Sequence, residues 1–515
     1  MFRTKTVGEK IMAKLRELLK TTEVLGIQGD SDVEITGITY DSRKARPGDL
    51  FVCIKGFRFD GHDFIAEAAR LGARAVIAGR EVDAPAGMTV VRTPNTRIAL
   101  GQVASEFYGN PSHHMRLIGI IGTKGKTTTT YMVKAILEAA GYKVGLIGTI
   151  QNMIGPATLP AERTTPESLD LQALLATMRR EGAQYVVMEV SSHAVELYRT
   201  AGAVFDVGVF TNITHDHLDF HETFENYLQA KTKFFIRLSE TTLPAENTLK
   251  QRKVAVINVD DPYSDYIIEH TKVSVLRYGL NEVADLRARE VDVHHRGAEF
   301  TVRTPAGDLR LRLNLTGHFN VANALAALAV AQHEKVDLAA ARAGLEGLAG
   351  VPGRFETVDE GQNFAVVVDY AHTPDSLEKT LQAARLLTKG KITVVFGCGG
   401  DRDKAKRPIM GRVAADLADY VVVTSDNPRS EAPEAICQDV AAGVIQAGRS
   451  KDGYAVIVDR REAIEHAIAR ANRDDMVIIA GKGHETYQIF RDRTIHFSDR
   501  EVASEILQRL NKAIR

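Results

Sequence analysis

The chain has 515 residues, which predicts about three domains at roughly 150 residues per domain. Hydrophobic residues make up 44% of it and charged residues 25%, a balance that excludes a disordered chain, a collagen and a coiled-coil rod. Lys plus Arg number 65 and Asp plus Glu 66, so the net charge of −1 gives no reason to expect a nucleic acid or an anionic membrane as partner.

The cysteines and the N-terminus indicate a cytoplasmic protein. Cys53, Cys398 and Cys437 are far apart and form neither a disulfide framework nor a zinc pattern, so we interpret them as ordinary thiols in a reducing compartment. The basic N-terminus lacks the apolar core of a signal peptide, and Met12–Leu19 has the spacing of a short amphipathic helix. We expect a monomer with no membrane insertion, and Met12 is an alternative start to Met1.

In chain order, the first zone covers residues 1–113. It contains the short apolar runs Val33–Ile38, Leu50–Ile54 and Ala75–Ala78, separated by turn residues such as those at 46–49. It ends in a soft stretch at 108–112, which has the composition of a linker.

The second zone, residues 114–350, alternates buried-type strands with helical patterns. This alternation predicts an α/β domain with a mostly parallel sheet, whereas 291–315 reads as alternating strands with a turn at 305–308. The predicted strands are Arg116–Ile121, Val144–Ile147, Tyr185–Glu189, Val204–Thr211 and Val254–Asn258.

The third zone, residues 351–515, repeats the same α/β pattern. Helical stretches lie between its predicted strands, which again favours a parallel sheet. These strands are Phe364–Val368, Ile392–Phe396, Tyr420–Thr424 and Met476–Ala480.

The clearest functional motif is the glycine-rich loop at 119–128, between the strand Arg116–Ile121 and a predicted helix, Thr129–Ala140. Such a loop directs backbone N–H groups and a helix N-terminus at a phosphate chain. Lys126 is placed to reach the β and γ phosphates, and the Thr127 hydroxyl to bind Mg²⁺. Ile120 stands where the general motif has glycine, so a glycine-rich turn that binds nothing is the alternative.

Polar residues follow two further strands. Glu189 closes one apolar run, and His215 and His217 follow the next. Carboxylate and hydroxyl oxygens suit Mg²⁺, while the two histidines have the alternative of satisfying backbone groups. Lys231 lies in a helical stretch where a solvated lysine is the ordinary interpretation, and Lys233 is the neighbouring alternative.

The loop sequence Gly-Thr-Lys-Gly-Lys-Thr-Thr at 122–128 closely resembles the ATP loop of the Mur ligase family. Further matching motifs run from Asp41-Ser42-Arg43 to 481–485, so the resemblance covers nearly the whole chain. It implies an α/β, three-domain architecture with a central P-loop ATPase-like domain and a C-terminal Rossmann-like domain. Domain limits of 1–113, 114–350 and 351–515 follow for the precursor-binding, ATP-binding and amino-acid-binding domains.

The motifs are most similar to the branch that adds meso-2,6-diaminopimelate to UDP-N-acetylmuramoyl-L-alanyl-D-glutamate. The resemblance implies an ATP-dependent ligase that works through an acyl phosphate with Mg²⁺ in peptidoglycan synthesis, and so in cell-wall biogenesis, cell shape and cell division. The alternatives are a lysine-adding ligase, a D-Ala-D-Ala-adding ligase, a folylpolyglutamate synthetase, or a nucleotide-binding module without ligase chemistry.

The resemblance also implies residue roles. The catalytic residues are Lys126, Glu189, His217 and Lys231. The metal ligands are Thr127, Glu189, His217 and Lys231, the last as a carbamate (N6-carboxylysine). ATP is bound by Gly122, Thr123, Lys124, Gly125, Lys126, Thr127, Thr128, Asn320, Asn323, Arg354 and Asp369. The UDP precursor is bound by Ser42, Thr164, Thr165, Ser191 and Arg199. Diaminopimelate is bound by Arg402, Asp426, Asn427, Pro428, Arg429, Gly481 and Glu485.

Arg429 decides the amino acid in this interpretation. Diaminopimelate has one more carboxylate than lysine, and an arginine can hold a carboxylate through two hydrogen bonds. The alternative is a type I turn at Pro428 with a surface arginine. Two places depart from the family pattern, Phe57–Phe59 near the uracil contacts and Arg163 before the precursor threonines.

Overall fold

The computed structural model describes residues 12–240, 247–250, 252–294, 296–304 and 307–514. The chain divides into two compact units, Met1–Arg287 with Ala322–Gly344 and Ala288–Val321 with Leu345–Arg515. In the described part of the chain no helix is long and apolar enough to cross a membrane. The three cysteines are free and buried.

The N-terminal part of the first unit is built on a five-stranded sheet of order β2-β7-β6-β5-β4, parallel except for β2. The predicted strand Val33–Ile38 is two strands, because β3 pairs with β1 and β4 pairs with β5. The predicted N-terminal helix is also shorter, since Ala13 and Lys14 are extended. The elements are β1 Ala13–Lys14, α1 Leu15–Leu18, β2 Gly26–Gln28, β3 Glu34–Ile35, β4 Gly37–Thr39, β5 Asp49–Val52, α2 Ile65–Arg70, β6 Ala75–Ala78, β7 Thr89–Arg92 and α3 Thr96–Phe107.

The central sheet of this unit is mostly parallel, as the alternating pattern predicts. From β11 to β15 its strand order is β11-β10-β9-β12-β8-β13-β14-β15, in which β10 alone runs opposite to the other strands. The elements are β8 Arg116–Ile121, α4 Lys126–Ala139, β9 Val144–Ile147, β10 Asn152–Ile154, β11 Ala157–Leu159, α5 Ser168–Arg180, β12 Tyr185–Val190, α6 Ser192–Glu196, β13 Val207–Phe210, α7 Leu218–His221, α8 Phe224–Glu240, β14 Val254–Asn258, α9 Ser264–Glu269 and β15 Ser274–Gly279.

A pair of glycines brings helix α8 close to the middle of this sheet. Gly119 of β8 lies opposite Gly208 of β13. A Cβ atom at Gly119 would lie 2.6 Å from the ring of Phe234, so only glycine leaves room for that ring. Phe234 is one turn after Lys231 on α8, so this packing sets where Lys231 lies.

The second unit contains a six-stranded sheet of order β19-β20-β24-β21-β22-β23, parallel except for β19. The hairpin β17-β18 is separate from it, and residues 305 and 306 of the turn predicted at 305–308 lie outside the described residues. Elements β16, α10 and α11 cross the limits between the units. The elements are β16 Leu286–His294, β17 Gly297–Thr304, β18 Gly307–Leu313, α10 His318–His333, α11 Leu338–Gly347, β19 Glu356–Thr357, β20 Ala365–Asp369, α12 Pro374–Leu387, β21 Ile392–Phe396, α13 Lys406–Leu417, β22 Tyr420–Val423, α14 Pro433–Gln446, β23 Tyr454–Val456, α15 Arg460–Arg470, β24 Met476–Ala480, β25 Tyr487–Ile489, β26 Thr494–His496 and α16 Asp499–Ile514.

Candidate active site

The glycine-rich loop joins β8 to α4, and α4 begins at Lys126 rather than at the predicted Thr129. Gly125 precedes the helix with a φ of +83°, and a Cβ atom there would lie 2.5 Å from Oδ1 of Asn323. The earlier start places Lys126, Thr127 and Thr128 in the first helical turn, where backbone N–H groups have no partner inside the helix. This is the geometry that binds phosphate.

Two lysines of the loop already contact oxygen atoms. The Lys126 ammonium donates to the carbonyl oxygens of Gly122 and Thr123 at 2.9 and 3.0 Å. The Lys124 ammonium lies 3.9 Å from the Asp216 carboxylate. The loop therefore holds two cations on its surface, both suited to phosphate oxygens.

Thr127 and Glu189 form a buried oxygen pair beside the loop. The Thr127 hydroxyl donates to Oε2 of Glu189 at 2.9 Å, and both residues are almost fully buried. Thr149, which sequence reasoning missed, donates to the same carboxylate from its backbone N–H at 2.8 Å and from its hydroxyl at 3.1 Å. A carboxylate and a hydroxyl in contact fit Mg²⁺, which prefers oxygen ligands.

His217 lies in a strained backbone conformation near two lysines. Its φ is +55°, uncommon for a residue with a side chain. Burial lowers the pKa of His217, and Lys126 and Lys231 lower it further against the opposing charge of Asp216. A neutral imidazole is the form that binds a metal. The ring of His193, which sequence reasoning also missed, lies 4.9 Å from that of His217.

The two lysines of α8 have opposite environments. Lys231 is 1% exposed, and its ammonium lies 4.2 Å above the ring of Tyr227. Burial lowers the pKa of Lys231 well below its usual value, and the charge of Lys126 lowers it further. The ordinary interpretation, a solvated lysine, is therefore wrong for Lys231 and right for Lys233, which is paired with Glu196 at 2.7 Å.

The residues predicted to bind the UDP precursor cluster around the ends of two strands, except for Ser42. The Thr164 hydroxyl is 3.0 Å from that of Thr149, and Thr165 accepts from the Ser191 N–H at 3.1 Å. Ser42 lies in the N-terminal sheet region, where its hydroxyl donates to Glu67. Ser42 thus makes its contact within the N-terminal sheet region, whereas Thr164 and Thr165 contact residues that follow β9 and β12.

Three arginines converge on Glu167, just before α5. Arg199 is 2.8 Å, Arg163 3.0 Å and Arg97 3.5 Å from its carboxylate. One carboxylate balances one of the three guanidinium charges, so the cluster has an excess of positive charge and suits an anionic group. Arg97 comes from α3 and also donates to the Lys55 carbonyl. Arg97 lies in no recognisable motif, so the sequence alone does not identify it as a site residue.

The predicted ATP residues of the second unit lie near β20 and the start of α10. Asp369 is buried and accepts from the Phe355 N–H at 2.8 Å and the Thr380 hydroxyl at 3.0 Å. Burial raises the pKa of Asp369. The Arg354 guanidinium lies 5.1 Å from the ring centre of Tyr370, and Asn320 donates to a backbone carbonyl of the preceding turn at 2.8 Å.

Arg429 is held in place by backbone contacts, not displayed on a surface turn. Its φ is +52°, and its backbone N–H donates to Ile489 at 3.0 Å. Nη1 of its guanidinium donates to the Gly400 carbonyl at 2.9 Å. The other two guanidinium nitrogens, Nε and Nη2, have no hydrogen-bond partner among the described residues. Arg402 is exposed. Its side chain and that of Arg429 both lie beside Gly399.

The loop after β24 meets the segment that contains Arg429. Glu485 accepts from the Asn427 side-chain amide at 2.8 Å and from Lys482 at 3.0 Å. A Cβ atom at Gly481 would lie 2.8 Å from the Asp426 carboxylate, so glycine permits this approach. Lys482 is fully buried, and sequence reasoning missed it although it lies inside the matched motif.

Three models of protein families match the chain. They are described as Mur ligase family, catalytic domain, at residues 34–108; Mur ligase middle domain, at 120–331; and Mur ligase, glutamate ligase domain, at 353–483. These matches confirm the predicted three-domain α/β architecture.

Individual relatives match over nearly their whole length. UDP-N-acetylmuramoyl-L-alanyl-D-glutamate–2,6-diaminopimelate ligase of Syntrophomonas wolfei is 46% identical over 96% of this chain and 99% of the relative. The protein of the same name from Bacillus licheniformis is 47% identical over 97% of this chain and 99% of the relative. A solved structure bearing that name has a TM-score of 0.70 and 31% identity, and covers 97% of this chain and 99% of its own. The chain belongs to the Mur ligase family.

Proposed function

We propose that this protein is the ATP-dependent ligase that adds meso-2,6-diaminopimelate to UDP-N-acetylmuramoyl-L-alanyl-D-glutamate in peptidoglycan synthesis. The observation that carries the assignment is the 46% identity to a relative of that name over 96% of the chain. Similarity over this length includes every segment that holds a candidate site residue. The cytoplasm is the compartment we propose, with domain limits at 113/114 and 350/351.

The reaction has two steps. A carboxylate oxygen of the D-glutamyl residue attacks the γ phosphorus of ATP, the bond to the bridging oxygen breaks, and ADP leaves. The amine nitrogen of diaminopimelate then attacks the acyl carbon, phosphate leaves, and the nitrogen loses a proton as the amide forms. Phosphoryl transfer of this kind depends on positioning and charge neutralisation rather than on covalent chemistry by the protein.

Lys126 and the N-terminus of α4 supply the positive charge in the first step. In the structure the Lys126 ammonium contacts two loop carbonyls, which phosphate oxygens would replace as its partners. Thr127, Glu189 and His217 would hold Mg²⁺, which supplies charge neutralisation at the phosphates when bound.

Lys231 would act as a carbamate. Its lowered pKa favours the unprotonated amine, the form whose nitrogen attacks the carbon of CO₂ and then loses a proton. The product is an anionic oxygen ligand that lies beside the phosphate loop and suits a hard cation. Burial of Lys231 supports this role, because an uncharged amine is the form that a buried site favours.

The arginine cluster of Arg97, Arg163 and Arg199 would hold an anionic group of the precursor. Thr164, Thr165 and Ser191 offer hydroxyl groups close to it, and Ser42 contributes from the N-terminal sheet region. In the second unit Arg429 would hold the second carboxylate of diaminopimelate, and Glu485 with Asp426 its ammonium. Nε and Nη2 of Arg429 have no hydrogen-bond partner among the described residues and could hold a carboxylate. This supports diaminopimelate over lysine, because lysine has no second carboxylate.

The test is phosphate release from ATP, measured with and without each co-substrate. We expect release only when the UDP precursor and meso-diaminopimelate are both present, with lysine and D-Ala-D-Ala as poor replacements. ATP hydrolysis that needs neither co-substrate would instead support a nucleotide-binding module. Faster release with lysine or D-Ala-D-Ala would reassign the protein to another member of the family.

A further inference from the structure

Lys482 is a buried charge that no step of the proposed reaction uses. Its side chain is 0% exposed, and its ammonium lies 3.0 Å from Oε2 of Glu485 and 3.2 Å from Oδ1 of Asn427. The ammonium also lies 5.5 Å from the ring centre of Tyr487. Burying a charge is costly unless it is paired and hydrogen-bonded, so these contacts determine where the side chain lies.

The contacts fix the orientation of two residues of the proposed amino-acid site. Asn427 receives hydrogen bonds at Oδ1 from Lys482 and from the Ile489 N–H, the latter at 3.0 Å. Its other amide atom, Nδ2, therefore faces Glu485, to which it donates at 2.8 Å. Lys482 thus touches both residues at once and holds the carboxylate of Glu485 against the amide of Asn427.

Lys482 also balances the charge of the cluster. The cluster consists of two carboxylates, Asp426 and Glu485, and two cations, Lys482 and Arg429. Arg402 is exposed and is not counted in it. Arg460 adds no net charge, because it is buried and paired with the Asp499 carboxylate through two hydrogen bonds of 2.7 Å. The cluster as a whole is close to neutral.

A neutral cluster suits one amino acid better than the other. The distal end of diaminopimelate carries an ammonium and a carboxylate, which sum to zero. The distal end of lysine carries an ammonium alone. Without the Lys482 charge the cluster would have one excess negative charge, which would attract the lysine ammonium more and the diaminopimelate carboxylate less.

We propose that Lys482 is a positioning residue that sets the amino-acid specificity of the site, by orienting Glu485 and Asn427 and by keeping their surroundings neutral. This rests on the proposed function, since it concerns the choice between two amino acids in that reaction. Lys482 acts through its two neighbours and needs no contact with the substrate.

The experiment uses the full-length protein with three substitutions. Lys482→Met removes the charge and the hydrogen bonds, Lys482→Gln removes the charge but keeps a donor, and Lys482→Arg keeps the charge. We measure kcat and KM for meso-diaminopimelate and for lysine in each protein. The Met and Gln variants should lower the ratio of kcat/KM for diaminopimelate to that for lysine about tenfold, mainly through KM. A tenfold change is about the effect of losing one charge-assisted contact. The Arg variant should keep most of the preference.

Folding is checked by thermal unfolding and by ADP binding. If Lys482→Met does not fold, Lys482→Gln decides the question. Folded Met and Gln variants that lose both amino acids equally would overturn the proposal and leave Lys482 a structural residue. Loss of preference in the Arg variant as well would also overturn it, because the charge would then not matter. Failure of the wild-type protein to use diaminopimelate at all would instead count against the proposed function.

Discussion

Replacing Lys231 with alanine tests the most unusual side chain of the candidate active site. Lys231 is 1% exposed, although it lies on a helix whose neighbouring lysine, Lys233, is 44% exposed at its side chain. Lys233→Ala is therefore a matched control on the same helix, two positions further on. It removes a charge of the same type from a solvated ion pair.

The different surroundings of the two lysines predict a large loss of activity for Lys231→Ala and a small change in stability for Lys233→Ala. Lys231 lies above the ring of Tyr227, whose hydroxyl is 3.0 Å from that of the loop residue Thr123, so as a carbamate it would place anionic oxygen beside the phosphate loop. Loss of one group that stabilises charge in a transition state lowers kcat by roughly a hundredfold to a thousandfold. The Lys233 pair with Glu196 is exposed, and loss of such a pair changes stability by about 0–1 kcal/mol.

The assay is phosphate release by both variants, together with intact mass spectrometry of the wild-type protein under CO₂. We expect the wild type to carry one added CO₂ at Lys231, and Lys231→Ala to regain part of its activity with formate, a small carboxylate. Bicarbonate should not restore Lys231→Ala, since the amine is missing. Equal losses in the two variants, or an unmodified Lys231 in fully active protein, would contradict the carbamate role of Lys231.

Three further predictions follow from contacts in the two units. Arg429→Ala should lower kcat/KM for diaminopimelate roughly ten- to hundredfold and leave that for lysine nearly unchanged, because a charge-assisted hydrogen bond contributes about 1.5–3 kcal/mol; equal losses would make its segment a structural turn. Arg97→Ala should raise KM for the UDP precursor with little change for ATP, since Arg97 belongs to the arginine cluster at Glu167; isothermal titration with unchanged precursor affinity would contradict that role. Burial lowers the pKa of His484 to about 4, so the unfolded chain binds a proton that the folded one does not, and stability falls as pH decreases from about 6.5 to 4. Denaturant unfolding of His484→Gln should show a weaker loss over that range, and an identical pH dependence would contradict the assignment.

Much of the fold follows from the sequence because strands and helices of an α/β domain have different hydrophobic periods. The strands Arg116–Ile121, Val254–Asn258, Ile392–Phe396 and Met476–Ala480 begin and end where the apolar runs do. The predicted start of the helix after the glycine-rich loop, Thr129, is three residues later than the start of α4 at Lys126. Lys126 and the threonines after it have no apolar spacing that marks a helix. Tertiary pairing, which no local pattern records, splits Val33–Ile38 between two sheets.

The candidate site was predictable only where a motif carries it. The loop at 122–128 lies between the expected strand and helix, and Glu189 reaches the same sheet edge, because carboxyl ends of parallel strands meet there. The burial of Lys231 depends instead on long-range packing through Phe234 against Gly119. Arg97 is also set by tertiary contacts, since it reaches Glu167 from 70 positions earlier in the chain.

In the proposed reaction the protein joins diaminopimelate to the UDP precursor at the expense of ATP. The most direct measurement is the mass of the product after incubation with ATP, Mg²⁺, the UDP precursor and equal amounts of meso-diaminopimelate and lysine. We expect a product heavier than the precursor by one diaminopimelate residue, with one ADP formed for each product molecule. A product that contains lysine, or ADP formed without any heavier product, would contradict it.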